Sequence, residues 1–131
     1  MRSKDTRMYG QYIIKAFEIN EKDSIELFIY KDVMSWISVG TYNAGSESYP
    51  WFIIENDSLS GGNYGGIWEW RDNRNTIRID LHGYPKDFLL MNRLLFYESS
   101  FWDIKKLTNK EFFLETENNN LKYRLELQKK Y

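Results

Sequence analysis

The sequence contains no cysteine, which excludes disulfide bonds, thiol catalysis and cysteine-ligated zinc. It contains one histidine, His82, so a zinc site would need that residue and carboxylates alone, and we predict no metal site. No apolar run approaches the ~20 residues that a membrane-spanning helix needs. The charges nearly balance, with 19 acidic against 18 basic residues and a net charge of −1. This balance provides no electrostatic footprint for nucleic acid, so we predict no nucleic-acid partner.

The N-terminus, MRSKDTRMYG, is basic but lacks the apolar core of a signal peptide. We predict that residues 1–7 form a flexible segment and that residues 8–131 form one domain, because the chain is too short for two ordinary cores. Two locations stay open. The protein is cytoplasmic, or it is lipid-anchored in the cell envelope (periplasm or outer membrane) if a leader with its anchoring cysteine was removed.

Aromatic residues are abundant at 18%, and they favour β-strands. Eight or nine short segments of alternating apolar residues follow one another, separated by short polar turns, and no strong helix with caps is evident. The sequence therefore predicts an all-β, up-and-down antiparallel barrel of about eight strands. A two-sheet sandwich is the competing architecture. Residues 24–30 read as a strand, residues 43–48 as a loop, and residues 87–97 as either a helix or a strand.

The segment GGIWEWRDNRNTIRIDL, residues 65–81, predicts a hairpin with a defined register. Trp70 lies opposite Ile77, and Trp68 lies opposite Ile79, so these four side chains share one face. A slip of one residue would turn all of them outwards, which specifies the register strongly. The other face carries the charged residues Glu69, Arg71, Arg78 and Asp80.

The C-terminal third, FWDIKKLTNKEFFLETENNNLKYRLELQKKY, carries a regular apolar pattern on three predicted strands. Its members are Trp102, Ile104, Leu107 with Thr108, then Phe112 and Leu114, then Tyr123, Leu125 and Leu127. This pattern resembles the ending of the lipocalin-like domains of bacterial envelope lipoproteins. The start, YGQYIIKAFEIN, resembles the first lipocalin strand, although Gly10 is followed by Tyr12 where that family carries tryptophan. The hairpin of residues 65–81 also resembles the central hairpin of that family. The resemblance implies a closed barrel with one open mouth that binds an apolar or aromatic molecule.

Seven residues make up the predicted ligand-binding set: Trp36, Trp51, Trp68, Trp70, Ile79, Trp102 and Leu125. The inward tryptophans have a simpler explanation, which is that they fill the barrel as ordinary core. Both explanations stay open, because a cavity wall is also a core face.

Five aromatic residues lie on or beside predicted loops and strand ends: Trp36, Tyr42, Tyr49, Trp51 and Tyr64. A barrel mouth lined with such rings would suit a flat ligand or a sugar ring. The alternative, favoured slightly, is that these rings fold back onto the barrel.

We predict no catalytic residue and no cofactor. Glu69, Asp80 and Asp103 could suggest the paired carboxylates of a glycoside hydrolase, but the alternation points them away from the apolar face. The GGNYGG segment lacks the lysine of a phosphate-binding loop and reads as the entry to a bent strand. The favoured function is non-enzymatic binding of a small hydrophobic or aromatic molecule inside the barrel. The alternative is a surface interaction module, for protein or carbohydrate, with a packed barrel.

Overall fold

Eight long strands form a closed antiparallel barrel in the computed structural model, which describes residues 7–58, 63–81 and 98–130. In chain order the strands are β1 (Gly10–Ile19), β2 (Lys22–Asp23), β3 (Ile29–Tyr30), β4 (Val33–Met34), β5 (Trp36–Ala44), β6 (Glu47–Glu55), β7 (Asn63–Arg71), β8 (Thr76–Leu81), β9 (Glu98–Leu107), β10 (Glu111–Asn118) and β11 (Leu121–Lys129). From β5 to β11 each strand pairs with the next in sequence, β1 pairs with β5, and β11 pairs with β1 to close the barrel. The predicted up-and-down barrel is confirmed. The sandwich is wrong, because the long strands form one continuous sheet.

Some sequence-based predictions fall on parts of the chain outside the described residues. These parts are residues 1–6, His82 and the ambiguous segment 87–97. The predictions made for them, including the N-terminal boundary of the domain, stay predictions.

A β-bulge explains why the first strand carries apolar residues on both faces. The pairing of β1 with β11 shifts register between Ile14 and Ala16, which leaves Lys15 as an extra residue. The bulge reverses the alternation, so Ile14 and Phe17 both point inwards and are buried. β1 therefore has one buried face, and the two apolar parities in the sequence belong to the two sides of the bulge.

A second β-bulge lies in β9. Its pairing with β10 shifts so that Lys105 is passed over, since Phe113 lies opposite Lys106 and Leu114 lies opposite Ile104. Ile104 and Leu107, three residues apart, consequently both pack against the core. The two bulges fall in strands whose apolar spacing departs from strict alternation.

The predicted strand at residues 24–30 is wrong for residues 25–28 and confirmed only for Ile29–Tyr30, which form β3. Ile25–Phe28 form a short 3-10 helix, which is followed by the β3–β4 hairpin. The Asp23 carboxylate accepts the backbone N–H of Ile25 at 3.1 Å and stabilises the tight turn into the helix. The consecutive residues Leu27 and Phe28 are both buried, which a strand with one buried face could not achieve. Phe28 meets Phe17 edge to face, with ring centroids 5.0 Å apart, and so this connection covers one end of the barrel.

A buried asparagine holds this connection in place. The side-chain amide of Asn56 donates to the carbonyl oxygen of Val33 at 2.8 Å and to the hydroxyl of Ser35 at 2.9 Å. Its carbonyl oxygen accepts the backbone N–H of Ser58 at 2.8 Å. Asn56 has no exposed surface, so its hydrogen bonds replace those that it would make to water.

The core fills the inside of the barrel with one layer of inward side chains from every long strand. The predicted register of the hairpin is confirmed: Trp70 lies opposite Ile77 and Trp68 lies opposite Ile79. Gly66 permits a close approach of β7 to β8 at this level, because a Cβ atom there would lie 1.8 Å from the carbonyl oxygen of Asp80.

The β5–β6 hairpin extends beyond the barrel as a two-stranded ribbon. The ladder of β5 with β1 ends at Val39, and that of β6 with β7 begins at Phe52. Residues 40–51 therefore pair only with one another among the described residues. We call this segment the ribbon. The predicted loop at 43–48 is too long, because the connection is only the two-residue turn Gly45–Ser46, with Gly45 at φ +65°.

Pro50 lies inside β6, opposite Thr41. The pairs that flank a two-residue turn are hydrogen-bonded, and bonded and non-bonded pairs then alternate along the ribbon. Counted from Ala44 and Glu47, the Pro50 pair is non-bonded, so the proline nitrogen faces away from β5. The missing N–H consequently costs no hydrogen bond within the hairpin.

Candidate functional site

Four of the seven predicted binding residues lie in the hydrophobic core. Ile79, Trp102 and Leu125 have 0% exposed surface and Trp68 has 3%. A side chain with no accessible surface borders no space that is large enough for a water molecule. These residues therefore pack directly against their neighbours.

The polar ends of the two buried indoles are bonded within the protein. The Trp68 N–H donates to the carbonyl oxygen of Gly40 at 3.2 Å, and the Trp102 N–H donates to the Ser100 hydroxyl at 3.0 Å. Buried indoles need such partners, because an unbonded N–H in an apolar interior is costly. Neither ring depends on a ligand to satisfy its donor.

Trp70 lies on the inner face but is only partly buried. Its ring stands nearly perpendicular to that of Trp68, with centroids 5.6 Å apart, and Tyr9 lies 6.4 Å from Trp68 on centroids. These three rings form what we call the end cluster, at the end of the barrel where β1 begins. Within the end cluster, Trp70 is the predicted binding residue that approaches solvent.

Trp36 and Trp51 lie on the outside of the barrel, separated from the other predicted residues by the wall. Trp36 begins β5, and the Lys130 ammonium lies 4.8 Å from its ring centroid. Trp51 lies against the backbone of Gly40, where a Cβ atom would approach the indole to 2.4 Å. The seven predicted residues therefore do not form one site, and the end cluster and the outer face of the ribbon are two separate candidates.

The outer face of the ribbon carries two strongly exposed aromatic rings that lie side by side. Tyr42 and Tyr49 lie directly opposite each other on β5 and β6, with 64% and 49% of their surfaces exposed. Their ring centroids are 6.4 Å apart and their planes differ by 31°. Trp51 lies two residues further along β6 and shares this face. We call Tyr42, Tyr49 and Trp51 the hairpin platform.

The charge on the ribbon is confined to one carboxylate. Residues 40–51 contain a single charged side chain, Glu47, and no lysine or arginine. The Tyr49 hydroxyl donates a hydrogen bond to this carboxylate, and that bond raises the pKa of the Tyr49 phenol above its ordinary value. The platform therefore combines aromatic rings, two phenolic hydroxyls and one anionic acceptor.

The carboxylates considered for hydrolysis face outwards, as predicted. Arg78 bonds Glu69 at 3.0 Å and Asp80 at 3.2 Å across the outer face of the β7–β8 hairpin. The hydrogen bond from Arg78 lowers the pKa of the Glu69 carboxyl. Asp103 accepts a hydrogen bond from the Thr76 hydroxyl at 3.3 Å. These contacts tie the carboxylates to neighbouring strands of the sheet.

A groove that the sequence did not suggest opens where β9 and β10 separate. Their ladder ends at Asp103 and Glu115, and beyond this point lies an open volume of about 300 Å³. Its lining carries both signs of charge: Glu18, Glu21, Asp103, Lys105, Glu115, Thr116, Glu117, Lys122, Tyr123 and Arg124. Charged residues at strand ends are ordinary in sequence, so no pattern distinguished these positions.

In the described part of the chain, no three histidine, cysteine, aspartate or glutamate side chains come together in a way that could hold a metal ion. The same residues contain no helix with the length and apolar character to cross a membrane. Comparison of the chain with protein-family models, with curated proteins and with solved structures gave no match.

Proposed function

We propose that this protein is a non-enzymatic binding module that recognises its partner on the outer surface, through the hairpin platform of Tyr42, Tyr49 and Trp51. The observation that carries the proposal is the exposure of the paired tyrosines, 64% and 49%, on a ribbon that stands clear of the barrel. Clustered exposed aromatic rings are uncommon on monomeric proteins and are frequent where a partner binds.

The condition of the interior supports a packed barrel. Ile79, Trp102 and Leu125 have no accessible surface, so a guest molecule would have to displace side chains from a close-packed core. This favours the surface module over the other function predicted from the sequence, in which a small molecule occupies the barrel.

The end cluster supports a second candidate function. Tyr9 and Trp70 pack against the core but remain partly exposed, so a small apolar or aromatic molecule could contact them without entering the barrel. Kinship with the lipocalin-like domains is part of this second proposal, and the closed eight-stranded barrel agrees with it. Location in the cell envelope stays a prediction, which fractionation of cells that express the native gene would check.

Two arrays, one of glycans and one of peptides, test the first proposal. The proteins compared are the wild type, the double variant Tyr42→Ala/Tyr49→Ala and the control variant Phe101→Ala. Phe101 is a matched control, because it is an outward aromatic residue with 51% exposure on β9. We expect the wild type and Phe101→Ala to bind the same array members, and the double variant to lose them.

Binding that survives in the double variant would overturn the assignment to the platform. A titration with an apolar fluorescent dye addresses the second candidate. Saturable dye binding that Trp70→Ala abolishes, together with empty arrays, would favour the end cluster and reject the surface module.

A further inference from the structure

The shape of the hairpin platform is low and flat. The indole of Trp51 lies directly on the strand backbone at Gly40, because that residue has no side chain to hold the ring away. Tyr42 and Tyr49 differ by only 31° in plane, so they form a slightly creased surface and not an edge-to-face pair.

The area of the platform is small for a protein partner. An aromatic side chain buries about 150–250 Å² when fully covered, and at the observed exposures the three rings offer on the order of 300 Å². A stable protein interface needs roughly 800 Å² on each side, usually with an anchor residue in a pocket. A narrow ligand that lies flat fits this surface better.

The β6 edge of the ribbon also disfavours an added peptide strand. The Pro50 nitrogen faces the free edge of β6, where it has no N–H to donate to an incoming strand. Pairing along the edge, the usual way in which an extended peptide binds a sheet, is therefore interrupted on this side.

The chemistry of the platform matches a neutral sugar chain. The face of an aromatic ring is electron-rich and attracts the C–H groups on the flat side of a sugar ring. The Glu47 carboxylate and the two phenols can accept hydrogen bonds from sugar hydroxyls. An acidic polysaccharide or a nucleic acid would meet the negative charge of Glu47 without a lysine or arginine on the ribbon to offset it.

We infer that the hairpin platform binds neutral polysaccharide, with sugar rings lying on Tyr42, Tyr49 and Trp51 and with hydroxyls bonded to Glu47. This inference rests on the proposed function and names the class of partner. The ribbon stands clear of the barrel, so a chain can pass across the platform in both directions and internal sugar units can bind.

Affinity electrophoresis tests the inference, with the folded protein run through gels that contain a soluble neutral β-glucan, xylan, mannan or, as the acidic comparison, polygalacturonate. We expect at least one neutral polysaccharide to slow the wild type and polygalacturonate to have no effect. Tyr42→Ala and Tyr49→Ala should each weaken binding about 3- to 10-fold, the size of one lost aromatic contact. Glu47→Gln should weaken it less, because the amide oxygen still accepts a hydrogen bond. Phe101→Ala should migrate as the wild type does.

Three results would overturn the inference, and they differ in what they mean for the proposed function. Binding of neutral polysaccharide that is unchanged in both tyrosine variants rejects the platform as the sugar site. Peptide-array binding that depends on the tyrosines, without retardation by any neutral polysaccharide, rejects the sugar and leaves the surface module standing. Failure of every polysaccharide and of both arrays rejects the two proposals together. Both tyrosines are exposed, and circular dichroism would verify that the variants are folded.

Discussion

The indole N–H of Trp68 donates to the carbonyl oxygen of Gly40 at 3.2 Å, so the same glycine contacts one tryptophan from inside the barrel and another, Trp51, from outside. The Trp68 bond joins β7 to β5 where the ladder of β6 with β7 has already ended. Gly40 therefore links the base of the ribbon to the core.

Substitution of Gly40 by alanine should destabilise the protein. The new methyl group would lie 2.4 Å from the Trp51 ring, and the displaced indole would cost about 1–3 kcal/mol in the free energy of unfolding. Urea denaturation would measure this change. Most of the penalty should disappear in a Trp51→Ala background, since the clash requires the indole. Equal penalties in the two backgrounds would show that the ring does not restrict this position.

Two neighbouring aromatic residues of β9 should differ sharply in their contribution to stability. Trp102 points inwards with no exposed surface, and Trp102→Ala should lower the free energy of unfolding by about 3–5 kcal/mol. Phe101 points outwards, and its replacement by alanine should change that energy by about 0.5 kcal/mol or less. Chemical denaturation of both variants would measure the two changes in the free energy of unfolding. A larger loss for Phe101→Ala than for Trp102→Ala would mean that the inner and outer faces of β9 are assigned the wrong way round.

Loss of the Asn56 side chain should loosen the connection that covers the barrel end. Asn56→Ala leaves the partly buried carbonyl oxygen of Val33 without this donor, at a cost of about 1–3 kcal/mol. Hydrogen exchange should speed up first in residues 24–35. Asp57→Ala, at the exposed neighbouring position, is the control and should leave exchange unchanged. If hydrogen exchange in Asn56→Ala were faster by the same factor in all strands, Asn56 would stabilise the whole barrel and not this connection.

Acid should weaken the outer contact between β9, β10 and β1. Glu111 bonds Lys106 at 2.8 Å and Lys15 at 3.5 Å, and the Lys106 hydrogen bond is the main cause of the lowered pKa of its carboxyl. Because the pKa is lower in the folded protein, this stabilisation is present above the ordinary value of 4.5 and is lost as the pH falls through the lowered pKa. Unfolding followed from pH 6 to about pH 3 should show a shallower acid loss in Glu111→Gln than in the wild type. Identical slopes would exclude a role for Glu111.

The parts of the fold that the sequence predicted well are those with strict alternation. In residues 65–81 a single register places both Trp68 and Trp70 on the inner face, and the structure has that register. The bulges at Lys15 and Lys105 break the alternation in β1 and β9. The local sequence does not show whether such a break comes from an extra, bulged residue or from a strand with two apolar faces. Residues 24–30 alternate as a strand would, but the Asp23 contact and the burial of Phe28 against Phe17 select a 3-10 helix over Ile25–Phe28.

The candidate site was only partly accessible to sequence reasoning. The aromatic residues of the ribbon were recognised, but the assignment of 43–48 as a loop concealed their pairing. A two-residue turn at Gly45 would have placed Tyr42 opposite Tyr49 on one face. Whether Trp51 faces the core or solvent depends on the register of β6, and the run WFII is apolar at both parities.

Closure of the barrel has a consequence for how the chain folds. β1 makes only three residue pairs with β5, whereas its ladder with β11 runs from Tyr12 to Ile19. β1 therefore forms most of its strand pairs with β11, more than 100 residues further along the chain. Contacts between residues so far apart in sequence slow folding. Until β11 arrives, β1 presents an apolar strand with an open edge, which is the situation in which chains aggregate. We accordingly expect β1 to be the strand that most needs protection by a chaperone during synthesis.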